Sequence, residues 1–329
     1  MRGIQFNQTP MPPSKDTYTT ADLDHWDFQG TALAVVGHPI KHSISPSMHN
    51  AALAALARTD ARFADWKYFR FDVPPEELPA ALERFHQKGF RGLNLTVPHK
   101  VIAFNELKLA GTQARSGDPT AHHTVDRAAQ PIGAVNTLHR TDTGWHGHNT
   151  DGYGLAAAVN ETLSRSLDGA HVILLGAGGA ARGAAIECIQ RRCASLWIAN
   201  RTRINLDALL LDLAPHAGQV LLQGFDPQQP PANLPAGALV INATSAGLRE
   251  SDPLPVDLRA LPKPAGVYDM IYNPPETRLL AQARELGILA ASGLSMLVHQ
   301  GARALEIWTG VSVPVEAMRT AAEGALRRS

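Results

Sequence analysis

The sequence predicts an α/β protein of two domains, the second a Rossmann-type dinucleotide-binding unit. Three observations carry this. Apolar β-like runs alternate with segments of helical spacing along almost the whole chain, the pattern of helices layered on parallel sheets. The stretch from His171 to Gly183 reads as strand, glycine turn and helix start, with Gly176, Gly178 and Ala181 on the G-x-G-x-x-G/A spacing. Finally, 329 residues suffice for two domains, each with its own core.

Taken in order, residues 1–30 are polar and proline-bearing, lack the apolar core of a signal peptide, and read as a loosely held extension. Ala32 to Val36 is the first strand. Ser45 then N-caps a helix through Ala57, with Pro46 at its first position. Tyr68 to Val73 reads as a strand, Pro75 to Lys88 as a helix stopped by Gly89, and Gly92 to Val97 as a strand ended by Pro98. A helix follows over His99 to Leu109. Residues 111–131, rich in Gly, Pro, Thr and His, read as a surface loop. Ala134 to His139 is a strand, Trp145 to Asp151 a turn, and a helix starts near Gly152, with the domain junction near Asp151.

The second half carries strands at Val172–Leu175, Ser195–Ala199, Leu239–Ala243, Val267–Met270 and Ile288–Ala291. Helical spacing covers Glu276–Leu286, Leu294–Trp308 and Val315–Leu326.

Each residue of the glycine turn has a physical task. Gly176 permits the tight turn, Gly178 lets backbone amides approach a pyrophosphate, and Ala181 lets the helix pack closely on the strand. The helix N-terminus then offers unpaired N–H groups and partial positive charge to the phosphates. An NAD-preferring site usually has Asp or Glu at the end of the next strand to hold the ribose 2′-hydroxyl. Here Ser195–Ala199 is followed by Asn200-Arg201-Thr202-Arg203, without a carboxylate. Arg201 offers a planar fork suited to a 2′-phosphate. The coenzyme expected is NADP.

Composition excludes other classes. The formal charge of zero supplies no basic field for nucleic acid or anionic lipid, and no apolar run is long enough to span a bilayer. Cys188 and Cys193, with nothing nearby to complete a metal site, read as small core residues of a cytoplasmic protein. His146 and His148 flank Gly147 as a metal pair would, but no further ligand lies at suitable spacing, and no metal is expected. A monomer or homodimer acting on a small molecule is the expected form.

The remaining polar residues gather where α/β sheets place ligands, at or just beyond the C-terminal strand ends. His42-Ser43-Ile-Ser45-Pro46 follows the first strand, Asn94-Leu-Thr96-Val-Pro98-His-Lys100 the third, and Asn136-Thr137 and His148-Asn149-Thr150-Asp151 lie further on. Hydroxyls, amides, one lysine and one carboxylate suit a small polyhydroxylated acid. A structural reading is also open: serines as helix caps, Asn136 closing a turn, Lys100 solvated.

Nine ordered segments spanning roughly residues 31–320 resemble the shikimate dehydrogenase family. They are Gly37–Pro46, Asn94–Lys100, Gly133–Thr137, Asn149–Gly152, Gly176–Ala180, Asn200–Thr202, Ile241–Ser245, Asp269–Tyr272 and Gly293–Gln300. The resemblance implies NADP-linked reduction of 3-dehydroshikimate to shikimate, in chorismate and aromatic amino acid biosynthesis. It implies a substrate domain of residues 31–150 plus 294–329 and a coenzyme domain of residues 151–293. Lys100 would be the catalytic lysine and Asp151 its partner. Ser43 and Ser45 would bind the substrate carboxylate, with Tyr272 nearby. Asn94, Thr96, Asn136, Asp151 and Gln300 would contact the ring hydroxyls and carbonyl. Gly176, Ala177, Gly178, Gly179 and Ala180 would cradle the pyrophosphate. Asn200, Arg201, Thr202 and Arg203 would hold the adenosine end, with Thr244, Met270 and Gly293 completing the coenzyme site.

The chain departs from the family pattern in its first 30 residues, in a loop between Lys100 and Asn136 about fifteen residues longer than usual, and at Asn205, where many NADP-using relatives carry a second arginine. Two other readings belong beside this one. A quinate/shikimate dehydrogenase using NAD is opposed by the carboxylate-free Asn200-Arg201-Thr202. A non-catalytic sensing module of the same fold should lack Lys100, Asp151 or the glycine turn, and all are present.

Overall fold

The structure, a computed structural model, describes residues 15–115 and 123–328. The described residues divide into two compact units, those up to 126 with 133–148, and 127–132 with those from 149 onward.

In chain order the first unit contains β1 (Tyr18–Thr19), α1 (Thr20–Asp24), β2 (Thr31–Gly37), α2 (Ser45–Ala57), β3 (Trp66–Asp72), α3 (Leu78–Gln87), β4 (Gly92–Leu95), α4 (His99–Arg115), β5 (Thr124–Val125), β6 (Thr137–Arg140) and β7 (Trp145–His148). Among the described residues its sheet has the order β1-β3-β2-β4-β6-β7-β5. β1, β3, β2 and β4 run parallel, while β6 and β7 form an antiparallel hairpin beside β4. Because β2 and β4 are parallel neighbours, Leu33 opposite Gly92 through Val36 opposite Leu95, the segments leaving their C-terminal ends emerge side by side. Those segments are Gly37–Ser45 and Thr96–Lys100.

Three expectations are corrected here. Residues 15–30 are not a loose extension: β1 pairs with the edge of β3, and Tyr18, Leu23 and Trp26 are buried. Trp26 lies edge-on to Phe69 at 4.8 Å and packs on Phe90 at 5.0 Å, so aromatic packing outweighs the polar composition of the segment. Residues 1–14 and 116–122, including part of the long loop, lie outside the described residues. The surface loop expected over 111–131 is partly ordered, since α4 runs on to Arg115 and β5 follows. The turn expected over 145–151 contains β7, where Trp145 is fully buried and its indole N–H donates to Leu82 O at 3.0 Å. The two histidines around Gly147 hide the period-two pattern, and a Cβ on Gly147 would meet Leu107 and Val135 side chains at 2.8 and 2.9 Å.

The second unit contains α5 (Asp151–Leu163), β8 (His171–Leu175), α6 (Gly179–Gln190), β9 (Ser195–Ala199), α7 (Arg203–Ala217), β10 (Leu221–Phe225), β11 (Leu239–Asn242), β12 (Gly266–Asp269), α8 (Arg278–Glu285), β13 (Ala290–Ser292), α9 (Leu294–Thr309) and α10 (Val315–Leu326). The described strands form an all-parallel sheet of order β10-β9-β8-β11-β12-β13. This is the doubly wound dinucleotide-binding order: successive strands are added on one side of β8 as far as β10 and then on its other side from β11, so the switch point lies between β8 and β11. Strands covered on both faces read as continuous apolar runs, as Val172–Leu175 and Leu239–Ile241 do, all buried.

α7 and β10 lie where the sequence reading placed no element. The leucines of α7 run almost round the helix and Pro215 sits near its end, which blurs the amphipathic signal. Residues 294–329, counted with the substrate domain on the resemblance, instead cluster with the second unit, because α9 packs along α5. The segment 127–132 joins the same unit through Arg182, which donates to Ile132 O at 2.9 Å and Pro131 O at 3.1 Å. Cys188 and Cys193 are free thiols and buried, and burial raises both pKa values, that of Cys193 to about 11. Among the described residues no helix is long and apolar enough to cross a membrane.

Candidate active site

At the switch point of the second sheet a pocket of about 250 Å³ opens over the C-terminal ends of β8, β9 and β11. Its lining includes Gly176, Ala177, Gly178, Asn200, Arg201 and Thr244. The glycines divide into two kinds. Gly176 has φ +112°, and a Cβ there would meet Thr244 Cγ2 at 3.0 Å and Ala243 O at 3.1 Å, so the fold itself requires glycine. A Cβ on Gly178 or Gly179 would meet nothing within 4 Å. Protein packing places no demand for glycine there, whereas a pyrophosphate approaching the N-terminus of α6 does. The residues therefore fit the coenzyme. Gly178 is the N-cap of that helix and no side chain caps it.

The turn after β9 carries two arginines in different settings. Arg203, in the first turn of α7, is held by Asp207, with Nε at 2.8 Å from Oδ2. Arg201 is exposed, lines the pocket and has no carboxylate partner among the described residues. Asn200 donates to Thr202 O at 2.9 Å, which shapes the turn.

The β11 and β12 ends are pinned by a buried carboxylate. Asp269 accepts from Asn242 Nδ2 (2.9 Å), Ile271 N (3.1 Å) and Thr277 Oγ1 (2.6 Å), yet burial raises its pKa. Asn242 Oδ1 in turn takes Thr244 N (3.0 Å) and Thr244 Oγ1 (2.7 Å). Met270 and Gly293 meet directly: a Cβ on Gly293 would stand 2.1 Å from Met270 O. Asp151 is the first residue of α5, its amide bonded to Asn149 Oδ1 at 3.0 Å. Gln300 lies on α9, which packs along α5, and Tyr272 is partly buried, with its pKa raised by burial.

In the first unit, the polar residues form one network. Asn94 Oδ1 accepts from Tyr68 Oη at 2.7 Å, and its amide donates to Asn136 O (3.2 Å) and Thr137 Oγ1 (3.0 Å). The Thr137 hydroxyl donates to Asn136 Oδ1 at 3.0 Å. Tyr68, its pKa well raised by burial, stacks on His49, whose Nδ1 meets Ser45 O at 3.0 Å. Arg70 donates to Ser43 O at 2.5 Å and so holds the serine loop. Thr96 packs against Gly37, where a Cβ would lie 2.5 Å from Thr96 Cγ2. Lys100 opens α4, its carbonyl bonded to Val135 N at 3.0 Å.

Comparison with known proteins decides the family. Residues 35–117 match the shikimate dehydrogenase substrate binding domain, and residues 293–323 the shikimate 5′-dehydrogenase C-terminal domain. The shikimate dehydrogenase (NADP(+)) of Symbiobacterium thermophilum is 39% identical over 302 residues, covering 90% of this chain and 95% of that protein. The chain belongs to the shikimate dehydrogenase family. The shikimate 5-dehydrogenase of Thermus thermophilus, solved with NADP(H) and shikimate, superposes with a TM-score of 0.73 at 33% identity, covering 90% of this chain and 99% of that one. A quinate dehydrogenase of Corynebacterium glutamicum, solved with NAD, gives 0.74 at 29% identity over 90% and 99%.

Within this shikimate dehydrogenase fold, the structure joins Ser43, Ser45, Asn94 and Asn136 through side chains to which the sequence reading gave no role. His49, Tyr68 and Arg70 look like ordinary strand and helix residues in the sequence, and Thr137 stood in a motif without a role of its own. Their only signal was polarity inside an apolar element, as for Thr137, Tyr68 and His49, all buried. Asp269 and Thr277 were missed as anchors in the same way.

Proposed function

We propose that this chain catalyses the reversible NADP-dependent reduction of 3-dehydroshikimate to shikimate. The observation carrying the coenzyme half is the pair Gly178 and Gly179, glycine without a packing reason. Beside them stands Arg201, with no carboxylate partner among the described residues and no carboxylate at the strand end. The substrate half rests on family membership and on the hydroxyl and amide network of the first unit. Bound NADPH supplies the hydride. Lys100 supplies the proton to the carbonyl oxygen and stabilises the developing alkoxide, and takes that proton back in the reverse direction, with Asp151 orienting it. Ser43 and Ser45 bind the substrate carboxylate with Tyr272 nearby. Thr96, Asn94, Asn136 and Gln300 orient the ring.

His49 and Tyr68 support this arrangement from below by fixing Ser45 and Asn94. Arg201 takes the 2′-phosphate, with Asn200, Thr202 and Arg203 around the ribose. Balanced charge and buried free thiols fit a reducing cytoplasm, where we expect a monomer or homodimer.

Steady-state assays with shikimate and quinate, each with NADP and NAD, test the reading. Shikimate with NADP should give the highest kcat/KM. A preference for quinate with NAD would replace it, and absence of turnover with all four pairs would end it.

A further inference from the structure

One edge of the first sheet carries three metal-ligating side chains that the dehydrogenase reaction does not use. His146 and His148 stand two residues apart on β7 and so lie on the same face of the sheet. β5 pairs with β7 in parallel, Thr124 opposite His146 and Val125 opposite Gly147. The Asp126 amide continues the ladder to Gly147 O at 2.8 Å, which brings Asp126 level with His148. One donor atom from each of Asp126, His146 and His148 lies within 4.8 Å of the others, and His148 Nδ1 is 3.6 Å from Asp126 Oδ2. The two imidazoles meet edge to face, centroids 4.4 Å apart, and all three residues are partly buried.

We propose that Asp126, His146 and His148 form a binding site for one divalent first-row transition ion, Zn²⁺ or a chemical neighbour. Two imidazole nitrogens and one carboxylate oxygen suit that class, whereas Mg²⁺ and Ca²⁺ require sets built of oxygen. Zn–N and Zn–O bonds of about 2.0–2.2 Å put tetrahedral ligand atoms roughly 3.3 Å apart, within reach of small side-chain rotations from the spacing observed. Three protein ligands leave a position for water.

Two neighbours favour such a site. The Thr124 hydroxyl lies 2.5 Å from His146 Nδ1. With Nδ1–H donating to it, the ring keeps its Nε2 lone pair for a cation, the outer-sphere arrangement typical of metal-bound histidine. His139 stands directly opposite His146 on β6, and its buried Nε2 has no hydrogen-bond partner among the described residues. The bound ion would act as a clip, tying the two-residue strand β5 to β7, and it takes no part in hydride or proton transfer.

The test uses the full-length protein, stripped with a chelator and titrated first with Co²⁺, then with Zn²⁺. We expect one equivalent of Co²⁺ with visible d–d bands and no thiolate charge-transfer band, its displacement by Zn²⁺, and a thermal midpoint that rises with Zn²⁺ concentration. Asp126→Ala and His146→Ala should each weaken binding by at least ~10-fold, the loss that even outer-sphere changes produce, while keeping dehydrogenase turnover. If either variant fails to fold, the Co²⁺ spectrum and stoichiometry of the unsubstituted protein decide. Less than one equivalent, a spectrum without d–d bands, or affinity unchanged in a folded variant would overturn the proposal.

Discussion

Gly154 of α5 and Gln300 of α9 touch backbone to backbone: a Cβ on Gly154 would stand 2.8 Å from Gln300 Cβ and 2.9 Å from Gln300 N. Gly154 lies one turn beyond Asp151, on the same face of α5. The close approach thus brings Asp151 and Gln300, remote in sequence, onto adjacent helices. Gly154→Ala should force these helices apart and cost about 1–3 kcal/mol, as overpacking does. Denaturant unfolding measures it, and an unchanged midpoint would show that α9 yields freely.

The two kinds of glycine at the coenzyme turn should respond oppositely. Gly178→Ala meets open space, so stability should hold while the KM for NADP rises about tenfold, equivalent to ~1.4 kcal/mol. Gly176→Ala is strained at φ +112° and crowded by Ala243 O, and should lose about 1–3 kcal/mol of stability. Thermal melts and coenzyme titrations on both variants separate the effects.

Lys100→Ala should lower kcat with shikimate by roughly 10²–10⁴, the usual contribution of general acid–base catalysis. The KM should move far less, because the proton shifts in the transition state. Retention of most of the turnover would remove Lys100 from the mechanism.

Arg201→Ala should weaken NADP and leave NAD almost unaffected, since only NADP carries the 2′-phosphate. Arg203→Ala should do less, because Asp207 already engages that guanidinium. Comparing kcat/KM for both coenzymes in both variants tests the division, and equal losses with NAD and NADP would make Arg201 structural.

Trp26→Ala should destabilise the first unit by about 3–5 kcal/mol, the range for large aromatic truncations in a core. Its ring fills the cluster of Phe69, Phe71 and Phe90. A variant as stable as the parent in urea would restore the loose-extension reading of this segment.

Elements with strong local signals are legible in the amino-acid string. The strand–turn–helix around Gly176 and the strand at Ser195–Ala199 stand where the sequence pattern places them, as does the helix over Ser45–Ala57, although Ile44 and not Ser45 is its N-cap and no side chain caps it. The order of short motifs is equally legible, and it points to the family. β7 escapes because its buried positions are only Trp145 and Gly147, too few to show the two-residue period between histidines, and α7 because its leucines do not follow a clean 3.6-residue period.

What the sequence by itself determined was chemical identity: glycines between a strand and a helix, no carboxylate after the strand Ser195–Ala199, and a lysine and aspartate in recognisable motifs. Those features act over a few bonds, so a linear string preserves them. Tertiary structure alone decided the rest. It showed that Tyr68 and Thr137 hold Asn94, that Gly154 admits Gln300, and that a Cβ would meet open space at Gly178 but the backbone and side chain of 243–244 at Gly176. It also brought Asp126 to the two histidines of β7, a third ligand that spacing along the chain does not reveal. Hydrogen bonds and van der Waals contacts act over a few ångströms of space. Which residues share that space is set by strand order and helix packing, not by their separation along the chain.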